Sequence, residues 1–213
     1  MKTILAMASF AAFAATQSQV CVSGVVQPVT SPTICMQGET HYLAGTSLFL
    51  RSTVVPLAQF VGQNVRVQGP DIGLVCRVLD VTAIFPAPAR LESCGTPMPG
   101  CSMRFKLTPG AIGQYGLFGS LGPGFAPLGC APPDVFDGSL LLGWPLHTFV
   151  IALFTGPAGD YVWPLPNTPA IQGVQVWMQG ARQDIGPIGP IQFTNLVRFT
   201  IVPFMPPCGG INC

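Results

Sequence analysis

The chain has 213 residues, enough for one large or two small folding units without help from a metal or a partner subunit. Only 8% of them are charged, against about 25% in a typical globular protein, so the surface has to be built from Gln, Asn, Ser, Thr, Gly and Pro. Without Lys2, which falls in the leader described next, basic and acidic residues balance at eight each. A neutral chain with two lysines in all has no basic field for a phosphate backbone, which excludes nucleic acid as an expected partner.

Residues 1–19 read as a signal peptide. Met1 and Lys2 supply the positive start, residues 4–14 an uncharged apolar run, and Ala12-Phe13-Ala14 a small-x-small cleavage site, with a second candidate cut nearer Gln17. The Gln19-Val20 pair before Cys21 lacks the small residue of a lipid-attachment site. No later segment reaches about 18 apolar residues without interruption, so no transmembrane segment is expected in the mature chain. The expected location is outside the cytoplasm, in the cell envelope or the extracellular space.

Eight cysteines follow the leader: Cys21, Cys35, Cys76, Cys94, Cys101, Cys130, Cys208 and Cys213. An even number in an exported chain reads as a disulfide framework. No C-x-x-C pair occurs, and His41 and His147 stand alone, so neither metal nor cofactor is expected. Proximity along the chain pairs Cys35 with Cys76, Cys94 with Cys101 and Cys208 with Cys213.

Helices are excluded by punctuation. From residue 24 onward no stretch longer than 12 residues lacks both Gly and Pro, and the longest, 74–85 and 191–202, are rich in Val, Ile, Thr and Phe. Gly and Pro inside a helix cost about 1 and 3 kcal/mol relative to Ala, whereas β-branched and aromatic residues suit strands. The fold class is all-β. Residues 20–86 contain VCVSGVV, HYLAGTSLFLRS, LAQFVGQNVRVQG and LVCRVLDVTAI, with Val65 and Val67 alternating against Arg66 and Gln68. This order of a short strand, a hairpin and two further strands resembles the small OB-like barrels of secreted bacterial proteins. The resemblance implies a strand face that takes oligonucleotides or sugars, for which this sequence offers Arg51, Arg66, Arg77 and one or two Phe.

Residues 87–100 are Pro-rich and aperiodic and read as a linker. Residues 101–203 read as an antiparallel β-sandwich. Met103, Phe105 and Leu107 alternate with Arg104 and Lys106 in its first strand; others are expected near 114–121, 140–144, 147–154, 173–181 and 194–202. Pro166-Asn167-Thr168-Pro169 reads as a rigid corner joining two strands. PLGC, GSLLLGWPL, YVWPLPNTPAIQGVQVWMQGAR and FTNLVRFTIVP together resemble a module repeated across uncharacterised exported bacterial proteins, marked by a P-x-P-N-x-P turn and a closing T-N-x-x-x-x-T-I strand. That resemblance implies a fold and no particular chemistry. Residues 204–213 form a Cys-containing tail.

Catalytic arrangements are absent from the pattern. There is no G-x-S-x-G elbow around Ser120 or Ser139, neither histidine has an evident acid and nucleophile beside it, and Asp134 and Asp137 read as a solvated turn. The remaining candidates are Trp144, Trp163 and Trp177. On an exposed sheet face Gln175, Trp177 and Gln179 would make a ligand surface, the ring stacking on a sugar and the amides bonding its hydroxyls; with the alternation inverted, Trp177 lies in the core. The sequence therefore points to an exported, non-enzymatic structural or adhesive protein, with an envelope protein or polysaccharide as partner. The alternative is a glycan- or small-ligand-binding module using the Trp177 face.

Overall fold

The computed structural model describes residues 19–31, 33, 35, 37–108, 112–130, 136–143, 148–156, 159–184, 189–205 and 208. As expected, the fold is all-β. Its strands are β1 (Gln19–Pro28), β2 (His41–Leu43), β3 (Phe49–Arg51), β4 (Asn64–Pro70), β5 (Val78–Asp80), β6 (Ala83–Pro86), β7 (Arg90–Cys94), β8 (Ser102–Thr108), β9 (Gly113–Ser120), β10 (Pro123–Gly129), β11 (Phe136–Leu142), β12 (Thr148–Gly156), β13 (Gly159–Pro164), β14 (Gln175–Asp184) and β15 (Ile191–Thr200). Two single 3-10 turns, Leu57–Phe60 and Pro169–Ile171, are the helical elements of the described residues.

The first sheet runs β5-β3-β2-β1-β4-β6. β1 serves two neighbours in turn: its first seven residues pair with β4 and its last three with β2. β3 and β5 are parallel, and a bridge from Asp71, just past β4, to Leu79 of β5 brings the sheet back on itself. Val22, Leu43, Leu50, Val67 and Leu79 are wholly buried inside this ring. The alternation read in β4 holds, Val65 and Val67 inward and Arg66 and Gln68 outward.

The central sheet is β10-β11-β15-β14-β9-β12, and an outer sheet, β13-β8-β7, covers one of its faces. Met103, Phe105 and Leu107 of β8 pack with Leu117, Val176 and Met178 of the central sheet, as their alternation requires. The other face of the central sheet meets the first sheet: Leu141, Trp177, Phe193 and Leu196 share a core with Val22, Val67 and Leu79. The Pro166–Pro169 corner carries the chain from β13 in the outer sheet to β14 in the central one.

Three expectations are corrected. Residues 87–100 are not an aperiodic linker, because residues 90–94 form β7, paired along its length with β8; the prolines flank this strand without interrupting it. The second unit also has strands the sequence did not show, at β10 and β13, so it is a central and an outer sheet that borrow β7 from the supposed linker. Of the disulfides, Cys35–Cys76 forms as expected, but Cys101 bonds Cys208, 107 residues away, and Cys21 bonds Cys130. Cys94 is disulfide-bonded as well, although not to Cys101, and Cys213 lies outside the described residues. Nearness in sequence misleads here because Cys94 stands opposite Arg104 in the β7–β8 ladder, while Cys101, in the loop before β8, is taken by Cys208 of the tail.

The joint between the first and central sheets is tied covalently and by buried polar groups. Cys21–Cys130 links β1 to the end of β10. Ser139 Oγ donates to the Cys21 carbonyl at 2.7 Å, and Arg66 meets Asp137 at 2.6 Å with both side chains largely buried. No helix of the described residues is long and apolar enough to cross a membrane.

Candidate functional site: an unguarded edge and a dished face

The ligand face expected at Gln175, Trp177 and Gln179 is not a surface. Gln175 is exposed at the start of β14, but Trp177 is 8% exposed and Gln179 wholly buried. The reason is layering: β14 is covered on both sides, so its alternation separates two cores instead of core from solvent. Val176 and Met178 point to the outer sheet, and Trp177 packs toward the first.

Gln179 instead acts as a surrogate for backbone pairing. β11 and β15 pair only at Phe136–Asp137 and Ile191–Gln192, and farther along Gln179 fills the gap: its Oε1 accepts from Leu141 N at 2.8 Å, and its Nε2 donates to the carbonyls of Ser139 and Thr194 at 3.0 Å each. The Thr194-Asn195 pair of the closing strand has a related explanation. The register between β14 and β15 shifts there, and a bulge leaves ladder groups to be satisfied by side chains. Thr194 Oγ1 accepts from Gly180 N at 2.9 Å, while Asn195 exchanges two hydrogen bonds with the Leu91 backbone, 2.9 and 3.2 Å long, fastening β7 to the central sheet.

Other polar candidates are spent on structure too. Ser120 Oγ donates to Gly122 O at 2.8 Å, and Ser139 is committed to the joint. His41 is 8% exposed with Nδ1 2.8 Å from Thr40 Oγ1, and burial holds its pKa below the usual 6.5. Asp137 belongs to the buried pair with Arg66, whereas Asp134, Trp144 and His147 lie outside the described residues. Trp163 is half-buried against Phe105. The arginines expected on the first unit's binding face are also occupied: Arg51 bonds Asp80 and the Gln37 carbonyl, and Arg77 bonds Asp71 at 2.6 Å and lies over Phe125. Among the described residues no group of three or more His, Cys, Asp or Glu could hold a metal ion.

Two surface features remain. Sheet edges expose unpaired backbone groups, and proteins guard them with Pro, charge or short length. The outer strands of the three sheets are β5 and β6, β10 and β12, and β13 and β7. β5 carries Asp80, β6 Pro86, β10 Pro123 and Pro127, β13 Asp160 and Pro164, and β7 Arg90 and Glu92. β12, nine residues reading TFVIALFTG, carries neither. Phe149, Val150 and Leu153 on it are 38%, 58% and 72% exposed. A bulge at Ile151 leaves a straight run from Ala152 to Gly156 against β9.

The second feature is the face beside that edge, an open cleft of about 460 Å³. Register sets it out in rows across β12, β9 and β14. One row is Thr155, Gln114 and Gln183; the next is Leu153, Gly116 and Ala181; the third has Phe118 at its centre, with covered Gln179 beyond it. Gly116 and Ala181 make the hollow. The Phe118 ring lies down over Gly116, so that a Cβ there would meet ring atoms at 2.8 and 2.9 Å. The charge at the rim is balanced, since Arg182 is paired with Asp184.

Sequence reasoning found β12 as a strand but missed both its edge position and the row of Gln114, Gly116 and Phe118, which becomes a face only through pairing with two distant strands. No protein-family model, curated protein or solved structure matches the chain.

Proposed function

We propose that the protein is an exported structural or adhesive protein of the cell envelope or extracellular space, without enzymatic activity, that assembles with copies of itself through the β12 edge. The observation that carries this reading is the contrast among outer strands: five hold a Pro or a charge, and β12 holds neither. A second copy is the fitting occupant because the strand is its own complement. Antiparallel pairing of β12 with itself, Phe149 included, sets no charge against a charge and adds main-chain hydrogen bonds along the edge. The balance of eight basic and eight acidic residues after the leader leaves little repulsion to oppose contact.

Three described disulfides and the N-terminal pattern support an exported setting, as does the resemblance of the second unit to exported modules. The closed order of β1 to β5, with β3 parallel to β5, supports reading the first unit as an OB-like, five-stranded Greek-key barrel. Its paired arginines argue against an oligonucleotide groove. The non-enzymatic reading is supported by Ser120, Ser139 and His41 all serving structural bonds.

Retention of the oxidised, leader-free protein on beads carrying the same protein, and on isolated cell-envelope material, tests the proposal. Wild type is retained on its own beads, and Phe149→Lys, which places a charge on the edge, is not. Retention on envelope alone would keep an adhesive role and reject self-pairing; retention on neither would overturn the proposal.

A further inference from the structure

We infer that the dished face formed by Gln114, Gly116, Phe118 and Gln183, with Thr155 and Leu153 of β12 as its outer wall, binds a pyranose ring of a neutral glycan. For its biological sense this rests on the adhesive reading, to which it adds a ligand class; the site itself lies on the face of the sheet and not on the edge.

A sugar ring has an apolar C–H face and a belt of hydroxyls, and a protein recognises it with an aromatic plane beside amide and hydroxyl groups. Both parts are present on one face, on either side of the Gly116 row. Gly116 leaves room for the Phe118 ring, two atoms of which would lie 2.8 and 2.9 Å from a notional Cβ there, and the half-buried ring lines the cleft. Beyond the Gly116 row, Gln114 and Thr155 are exposed. Gln183 donates its Nε2 to Gly189 O at 3.0 Å, which fixes the amide and leaves its oxygen as an acceptor. The cleft, about 460 Å³, falls within the range of about 300 to 1,000 Å³ usual for small-ligand sites. Because Arg182 is paired with Asp184, the rim presents no unbalanced positive charge, and a neutral sugar fits it better than an acidic one.

The test is isothermal titration of the oxidised protein with linear hexaoses of β-1,4-glucose, α-1,4-glucose and β-1,4-xylose. Saturable binding of at least one hexaose is expected. Phe118→Ala should weaken it about tenfold by removing the stacking plane, and Gln114→Ala about fivefold by removing a hydrogen bond at an exposed position where folding is not at stake. Phe149→Lys, on the opposite face, should bind sugar as wild type does even where self-retention is lost, so this site and the β12 edge fail separately. Absence of saturable binding to all three hexaoses, or binding that neither Phe118→Ala nor Gln114→Ala weakens, would overturn the inference.

Discussion

Replacing Gln179 with Leu should destabilise the protein severely although it adds apolar surface and removes no volume. The side chain is wholly buried and holds Leu141 N, Ser139 O and Thr194 O at 2.8, 3.0 and 3.0 Å. Leu leaves all three backbone groups dry and unpaired. A buried group stripped of its partner costs about 1 to 3 kcal/mol, and an orphaned N–H is tolerated less well than a carbonyl, so the sum is about 3 to 5 kcal/mol. In urea, with a slope of about 2 to 3 kcal/mol per molar for a protein of this size, the midpoint should fall by about 1 to 2 M at constant slope. Gln179→Glu gives a signed control. At neutral pH its carboxylate faces two carbonyls, and protonation restores one donor, so that variant should recover part of its loss on acidification. An unchanged urea midpoint for Gln179→Leu would refute the surrogate role.

Further predictions follow from the joint, the staples and the buried histidine. Arg66→Ala should cost about 3 to 5 kcal/mol by leaving Asp137 buried without its cation, while Arg66→Met with Asp137→Leu should recover most of that loss; equal stability of the single and double variants in urea would contradict the account. Cys35→Ser with Cys76→Ser opens a link between residues 41 apart, for which the chain-entropy relation gives about 4 kcal/mol, readable as a lower thermal midpoint; no change would show that the link constrains nothing. Burial lowers the His41 pKa below 6.5, so the unfolded chain takes up protons more readily than the folded one. This contribution to stability is complete above about pH 6.5 and is lost as the pH falls through the folded value. His41→Gln should therefore flatten the thermal midpoint's dependence on pH over that range, and identical pH profiles for variant and wild type would sink the argument.

Much of the architecture was legible where the two faces of a strand meet unlike surroundings, one apolar and the other polar. Val65 and Val67 against Arg66 and Gln68, and Met103, Phe105 and Leu107 against Arg104 and Lys106, give clean periods of two, and both strands lie as that period requires. β14 was legible as a strand but not in its exposure. A strand between two cores alternates between apolar environments, and Trp177 with Gln179 then looks the same as a ligand face. β7 was hidden by its prolines, which bound the strand without entering it. The sites were less legible than the fold, because edge position and row neighbours are properties of pairing. TFVIALFTG would have the same composition in the middle of a sheet, and the partnership of Gln114 with Thr155 and Gln183 joins residues about 40 and 70 positions away.

The central claim is that β12 is an unguarded edge through which copies assemble, and sedimentation velocity over two decades of concentration tests it most directly. Oxidised wild-type protein should sediment faster as its concentration rises, and Phe149→Lys should stay at the monomer value throughout. Wild-type protein that remains monomeric across the whole range would contradict the claim.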